Sequence, residues 1–113
     1  QELEARGLSS IELVIVNSPP LTVGARASSA ELLDAASQVQ VGGPFLLRWA
    51  LRHWRVCAAV VSPSQYQRLI EHMRANSGCI ASEFRIELLR RALQYLAGKD
   101  EETAAVFDRM WSR

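Results

Sequence analysis

The residues with the clearest chemical potential lie between Gln38 and Trp54, in the stretch QVQVGGPFLLRWALRHW. Gly42, Gly43 and Pro44 separate an alternating polar and apolar run from a run with helical spacing. One interpretation is a plain helix start with the proline at the first helical position, because Gly-Pro punctuation is common in loops. The other is a backbone cradle, because glycines let a ligand approach the main chain. The motif alone leaves both open.

The other potentially reactive side chains form no cluster along the sequence. His53 and His72 have no acid, base or nucleophile at a catalytic spacing, so surface or packing roles are expected. Lys99 is the only lysine, so a lysine-dependent mechanism has no other source. Cys57 and Cys79 form no CxxC pair and have no histidine at ligand spacing, so no metal site is predicted. Cys57 lies in the apolar run VCAAVV, which is typical of a buried free thiol.

Composition excludes several classes of protein. The chain has 113 residues, of which 49% are hydrophobic, so we expect one globular domain over residues 1–113. A net charge of +1 gives no reason to expect nucleic acid or a membrane surface as a partner. No apolar run approaches the roughly 20 residues that span a bilayer, and the N-terminus QELEARG lacks signal-peptide features. These features predict a cytoplasmic protein.

Two apolar, β-branched runs predict buried strands. Ile11–Val16 and Val56–Val61 are nearly continuous in apolar residues, as is usual in a parallel sheet. Between them the spacing predicts a helix over Ser29–Ser37, capped by Ser28 or Ser29, a short extended piece QVQV, and a helix from Pro44 to about His53. A crossover of this length allows parallel pairing.

The C-terminal part of the sequence is predicted to be helical. Ser62 and Pro63 open one helix that Gly78 closes, a second runs from about Ser82 to Ala97, and Gly98 ends it. Asp100 is then expected to cap a last helix through Trp111. The fold class is therefore α/β, a short parallel sheet with flanking helices and a helical C-terminus. Two strands are half a sheet, so missing sequence, another chain or a second copy should supply the rest.

Four segments carry a family resemblance: IELVIVN, QVGGPFLLRWALRH, VCAAVVSPSQY and SEFRIELLRRALQYLAGKDEE. In this order they resemble VVVNLYPF, DIGGPxxxRAAAKNH, VVVDPxDY and FRxxLAxKAFxHTAxYD of the bifunctional purine biosynthesis enzymes, in the second half of the IMP cyclohydrolase domain. The match runs from about Ile11 to Asp108. It implies a methylglyoxal-synthase-like, partial Rossmann-like three-layer sandwich, and the closure of formyl-AICAR to IMP without a metal or cofactor.

The resemblance also implies a set of site residues. Asn17 matches the family's asparagine, whereas its tyrosine falls on Pro19, its DIGGP aspartate on Gln40 and its AAAKNH lysine on Arg52. Glutamine hydrogen-bonds but cannot act as a base, and arginine stays protonated. The predicted catalytic cation is therefore Arg52. The predicted substrate-binding residues are Asn17, Gln40, Val41, Gly42 and Gly43.

The resemblance leaves the activity of this chain open. One hypothesis is a divergent cyclohydrolase, inactive alone, because the family's phosphate-binding segments lie in the first half of its domain. The alternatives are a non-catalytic nucleotide-binding or scaffold module that partners a transformylase, and a structural oligomer. The expected partners are a purine nucleotide resembling formyl-AICAR or IMP, and a second copy or a complementing polypeptide.

Overall fold

A computed structural model describes residues 5–7, 10–18, 21 and 23–112. Its elements follow in the order strand, two helices, strand, two helices, with one turn of 3-10 helix at Pro63–Gln65. The strands are β1 (Leu13–Ile15) and β2 (Ala58–Val60). The helices are α1 (Ser29–Ser37), α2 (Gly42–Arg52), α3 (Tyr66–Ala75) and α4 (Ser82–Trp111).

The two strands pair in parallel, as the sequence predicts. Leu13 lies opposite Ala58, and the register continues through Ile15 opposite Val60. Both strands are shorter than the apolar runs that predict them, because the first residue of each run lies outside the sheet. Ile11 is exposed, and the backbone of Val56 belongs to the turn that follows α2.

Helices cover both faces of this sheet, since successive strand residues point to opposite sides. One face packs against α2 and the middle of α4. Its buried residues are Val14, Val16, Leu47, Ala50, Cys57, Ala59, Leu89, Ala92 and Leu96. The other face packs against α3 and the start of α4. Its buried residues are Ala58, Val60, Leu69, Phe84 and Leu88. The α/β class with flanking helices and a helical C-terminus is thus confirmed.

Helix α1 packs far from the sheet, against the end of α4. Its buried residues Leu32 and Ala35 join Ala27 and Val106 in a separate apolar cluster. Ser28 caps α1 through a capping box with Glu31, which decides between the two predicted caps.

Three predicted boundaries are wrong. Helix α2 begins at Gly42, so Pro44 occupies its third position, and the residues QVQV form no strand. A turn of 3-10 helix after Ser62 delays α3 until Tyr66. The two predicted C-terminal helices are one continuous helix through Gly98. A helical glycine costs about 1 kcal/mol relative to alanine, and burial of α4 on both sides of it offsets that cost.

Candidate functional site

The N-terminus of α2 lies at the carboxyl end of β1. A Cβ atom built on Gly43 would lie 2.9 Å from Val16 Cγ1 and 3.7 Å from Ser18 Oγ. These two residues flank Asn17, whose side chain is exposed. The structure therefore brings together two parts of the predicted site that are distant in sequence. Ligands of open α/β sheets bind at this kind of position, outside the carboxyl ends of parallel strands.

The two glycines have different roles. Gly43 must be glycine for packing, because any side chain would collide with Val16. A Cβ atom at Gly42 would meet nothing within 4 Å, so the space beside this residue is open. Packing against Val16 therefore explains Gly43, and the close approach of a ligand remains an explanation for Gly42 alone.

The first turn of α2 carries no acidic residue, and no side chain caps it. Pro44 has no N–H group, so the backbone donors at this helix end are those of Val41, Gly42 and Gly43. The helix dipole makes this end favourable for negative charge or for a polarised oxygen. The local chemistry suits a hydrogen-bond acceptor that is neutral or negatively charged.

Gln40 and Val41 line a pocket of about 680 Å³ between the α1–α2 loop, α2 and the middle of α4. This volume lies in the range of small-molecule sites. The lining residues are Leu21, Gln38, Val39, Gln40, Val41, Pro44, Phe45, Arg48, Tyr95, Lys99, Asp100, Glu102 and Thr103. Most of this wall is apolar, and its charged residues are Arg48 on α2 and Lys99, Asp100 and Glu102 on α4.

The charges in this pocket are paired with one another. Arg48 on α2 binds Asp100 on α4 at 3.2 Å, and Lys99 binds Glu102 at 3.4 Å. The Lys99 ammonium also lies 5.4 Å from the centre of the Tyr95 ring. The Arg48–Asp100 pair joins α2 to α4 beside the predicted loop, whereas the contacts of Lys99 lie within α4. The two pairs leave the pocket with no net charge.

Arg52 lies far from this group of residues. It is the last residue of α2 and is exposed, about 14 Å along the helix axis from Gly43 at 1.5 Å per residue. Of the predicted site residues, Gln40 and Val41 line the pocket, whereas Asn17, Gly42, Gly43 and Arg52 do not. The role of Arg52 as a catalytic cation stays a prediction. Pro19 lies outside the described residues.

Sequence reasoning did not select Tyr95, Lys99 or Asp100 as pocket residues. The predicted end of the long helix at Gly98 puts Lys99 in a break between helices and Asp100 at the cap of a last helix. Arg48 and Asp100 are 52 positions apart, and pairing at this separation leaves no periodic signal in one sequence.

The two histidines have structural contacts, as expected. His53 stacks on Trp49 with ring centres 4.5 Å apart. His72 packs against Phe84, and its Nε2 accepts a hydrogen bond of 3.0 Å from the backbone N–H of Ala81. Among the described residues no group of three or more His, Cys, Asp or Glu side chains is placed to hold a metal ion.

Cys57 is fully buried in the main apolar cluster, and burial raises the pKa of its thiol. Its interpretation as a buried free thiol is confirmed. Cys79 is exposed and also free.

Together these features define an α/β protein with an open helix N-terminus at the carboxyl end of a parallel strand. The chain is 30% identical over 99 residues to the "Bifunctional purine biosynthesis protein PurH" of Neisseria meningitidis serogroup A, which covers 88% of the chain. It is 30% identical over 103 residues to the protein of that name from Nostoc punctiforme, which covers 91%. The chain is therefore related to PurH, as the resemblance predicts.

The similarity concerns a small part of those relatives. The chain spans about a fifth of their length, 19% of the first and 20% of the second. No protein-family model matches the chain. Within the described residues, no helix has the length and apolar character needed to cross a membrane.

Proposed function

We propose that this chain is an IMP cyclohydrolase-like module of purine biosynthesis that binds a purine nucleotide but does not close the ring by itself. The observation that carries the proposal is the meeting of the α2 N-terminus with the carboxyl end of β1, through Gly43 and Val16. The relationship to proteins named for purine biosynthesis supports the class of ligand. The chain then corresponds to one part of a larger domain.

The ligand is held by its heterocycle in this proposal. The N–H groups of Gly42 and Gly43 donate to oxygen atoms of the base or of its open-ring precursor. The side chains of Asn17 and Gln40 add donors and acceptors at either side. A Cβ atom at Gly42 would fill the space that the heterocycle enters.

The same residues explain the expected lack of turnover. Ring closure moves protons while the carboxamide nitrogen attacks the formyl carbon and water leaves. A positioned acid or base is worth typically 10²- to 10⁴-fold. Gln40 supplies neither, because an amide does not titrate. Arg52 stays protonated and lies at the other end of α2.

Binding is tested by calorimetric titration of the chain with IMP. We expect Gly42→Ala to weaken binding at least tenfold while the folded chain keeps its thermal stability. Gly98→Ala is the matched control, because it adds the same methyl group at another helical glycine with nothing within 4 Å. Equal affinity of Gly42→Ala and the unchanged chain would exclude the proposed approach of the ligand.

Turnover is tested separately with formyl-AICAR by following IMP absorbance. We expect the chain alone to give the rate of the buffer blank. A rate above the blank that disappears in Arg52→Ala would make Arg52 catalytic and overturn the proposed inactivity. A rate that appears only when a second polypeptide carries the first half of the cyclohydrolase domain would identify the chain as one part of a split enzyme.

A further inference from the structure

A pocket of about 340 Å³ opens at the amino ends of the two strands, at the end of the sheet opposite to the α2 N-terminus. It lies between the start of β1, the turn before β2 and the loop that joins α3 to α4. Its lining residues are Glu12, Leu13, Arg55, Val56, Met73, Gly78, Cys79, Ile80 and Arg85. We call this cavity the amino-end pocket. Its volume lies at the small end of the range for small-molecule sites.

Two arginines give the amino-end pocket its charge. Within the described part of the chain, neither Arg55 nor Arg85 forms an ion pair with a carboxylate, whereas the arginines of two other pockets are paired with acids of α4. Of the described residues that line the amino-end pocket, only Glu12 is acidic. The pocket therefore keeps one net positive charge, which its apolar walls focus on an entering anion.

The guanidinium of Arg85 is oriented by the fold itself. It donates three hydrogen bonds of 3.0–3.2 Å to the carbonyl groups of Trp54 and Ile80 and to Ser82 Oγ. These acceptors are neutral, so they fix the group without cancelling its charge. A guanidinium has five N–H donors, and two of them remain for a ligand. An anion bound here does not have to immobilise this side chain, which lowers the entropic cost of binding.

Arg55 supplies a second guanidinium from the turn before β2. Its Cζ lies 5.3 Å from the centre of the Trp54 ring, and its side chain is exposed. The described residues offer its N–H groups no hydrogen-bond acceptor. These N–H groups are therefore available to an anion that enters the amino-end pocket.

We propose that the amino-end pocket binds a small organic monocarboxylate, with the carboxylate held by Arg55 and Arg85. The planar fork of a guanidinium matches the two oxygens of a carboxylate. Leu13, Val56 and Met73 offer apolar surface to the hydrocarbon part of the ligand. One net positive charge favours a monoanion over a phosphate dianion. This site is separate from the proposed nucleotide site, so each can fail without the other.

The first test is an NMR titration of the ¹⁵N-labelled chain with benzoate. We expect saturable movement of the Arg85 Nε–H signal and of the backbone amides of Val56 and Gly78, while Gly42 and Gly43 stay in place. Benzamide has the same shape without the charge and should bind at least tenfold more weakly. No movement with millimolar benzoate, or an equal response to benzamide, overturns the proposal. Inorganic phosphate that binds as tightly as benzoate would overturn the choice of a monocarboxylate.

Substitution tests the contribution of Arg55, since Arg85 also holds the fold together. We expect Arg55→Gln to weaken benzoate binding at least fivefold without changing the melting temperature, because this side chain is exposed. Arg90→Gln is the matched control, because it removes the same charge from an exposed arginine outside the pocket. Equal affinity of Arg55→Gln and the parent chain would exclude the proposed contact.

Cys79 reports directly on the location, because it lines the amino-end pocket and is exposed and free. Alkylation with the neutral reagent iodoacetamide is followed by mass spectrometry. We expect saturating benzoate to slow the alkylation of Cys79 at least threefold in the parent chain, and the same benzoate concentration to have a smaller effect in Arg55→Gln. An alkylation rate in the parent chain that benzoate does not change would show that benzoate binds elsewhere and contradict the proposal.

Discussion

Arg85 at the start of α4 donates a hydrogen bond of 3.0 Å from Nε to the backbone carbonyl of Trp54, in the turn before β2. The same guanidinium donates to the carbonyl of Ile80 at 3.1 Å and to Ser82 Oγ at 3.2 Å. One side chain thereby joins the turn before β2 to the loop before α4. It also satisfies two carbonyl groups that no regular element uses.

Replacing this residue tests how much that junction stabilises the fold. We expect Arg85→Ala to lower the free energy of unfolding by about 1–3 kcal/mol, because hydrogen bonds from a charged donor are lost together. Arg85→Lys should recover little, since an ammonium cannot reproduce the planar fork. Urea denaturation measures both. Arg74→Ala, at an exposed position on α3, is the control and should change stability by less than about 0.5 kcal/mol.

Gly43→Ala should destabilise the chain by about 1–3 kcal/mol, the usual range for overpacking. The reason is the 2.9 Å approach of the new methyl group to Val16 Cγ1. Thermal unfolding monitored by circular dichroism measures the loss, with Gly42→Ala as the control that has open space. Equal melting temperatures for the two variants would contradict the packing described here.

Much of the fold follows from local sequence signals. The two β-branched runs predict the parallel strands, and the serines at 28 and 29 predict the start of α1, because these signals act over a few residues. The continuity of α4 could not be predicted in this way. Gly98 and Asp100 read locally as a stop and a cap, yet Val106 packs on α1 and extends the helix through them.

The candidate site likewise has a part that local sequence predicts and a part that depends on tertiary packing. The GGP motif predicts a helix here, with its start two residues late at Pro44. The contact of Gly43 with Val16 and the pairing of Arg48 with Asp100 depend on tertiary packing. The spacing of residues along the sequence gives no signal for either contact. The pocket beside Gln40 therefore cannot be predicted without the position of α4.

The interior position of Gly98 gives a direct test of helix continuity. We expect Gly98→Ala to raise the free energy of unfolding by up to about 1 kcal/mol, because alanine is the better helix former and its methyl group meets nothing within 4 Å. Chemical denaturation measures the change. Unchanged or reduced stability would indicate a helix break at this residue.

Glu87 links stability to pH. Two hydrogen bonds of 2.8 and 3.0 Å from Arg68 lower the pKa of the Glu87 carboxyl below its usual value near 4.5, and the charges of Arg68 and Arg91 act in the same direction. A lowered folded-state pKa stabilises the folded chain above the unfolded pKa, and this contribution is lost as the pH falls through the folded pKa.

The corresponding experiment compares the parent chain with Glu87→Gln at several pH values. We expect the stability difference to be constant above about pH 5, to shrink below about pH 4.5, and to decrease with added salt because the pair is partly exposed. A difference independent of pH would show that the carboxylate charge contributes nothing.

The most direct test of the proposed nucleotide site is an NMR titration of the ¹⁵N-labelled chain with IMP. We predict that the backbone amide signals of Gly42 and Gly43 and the side-chain amide of Asn17 move most, while those of Gly78 and Gly98 stay in place. Ribose 5-phosphate should move the signals of Gly42 and Gly43 much less than IMP does, because the proposed contacts at these residues are to the heterocycle. No movement of Gly42 and Gly43 at millimolar IMP, or equal movement with ribose 5-phosphate, would contradict the proposed site.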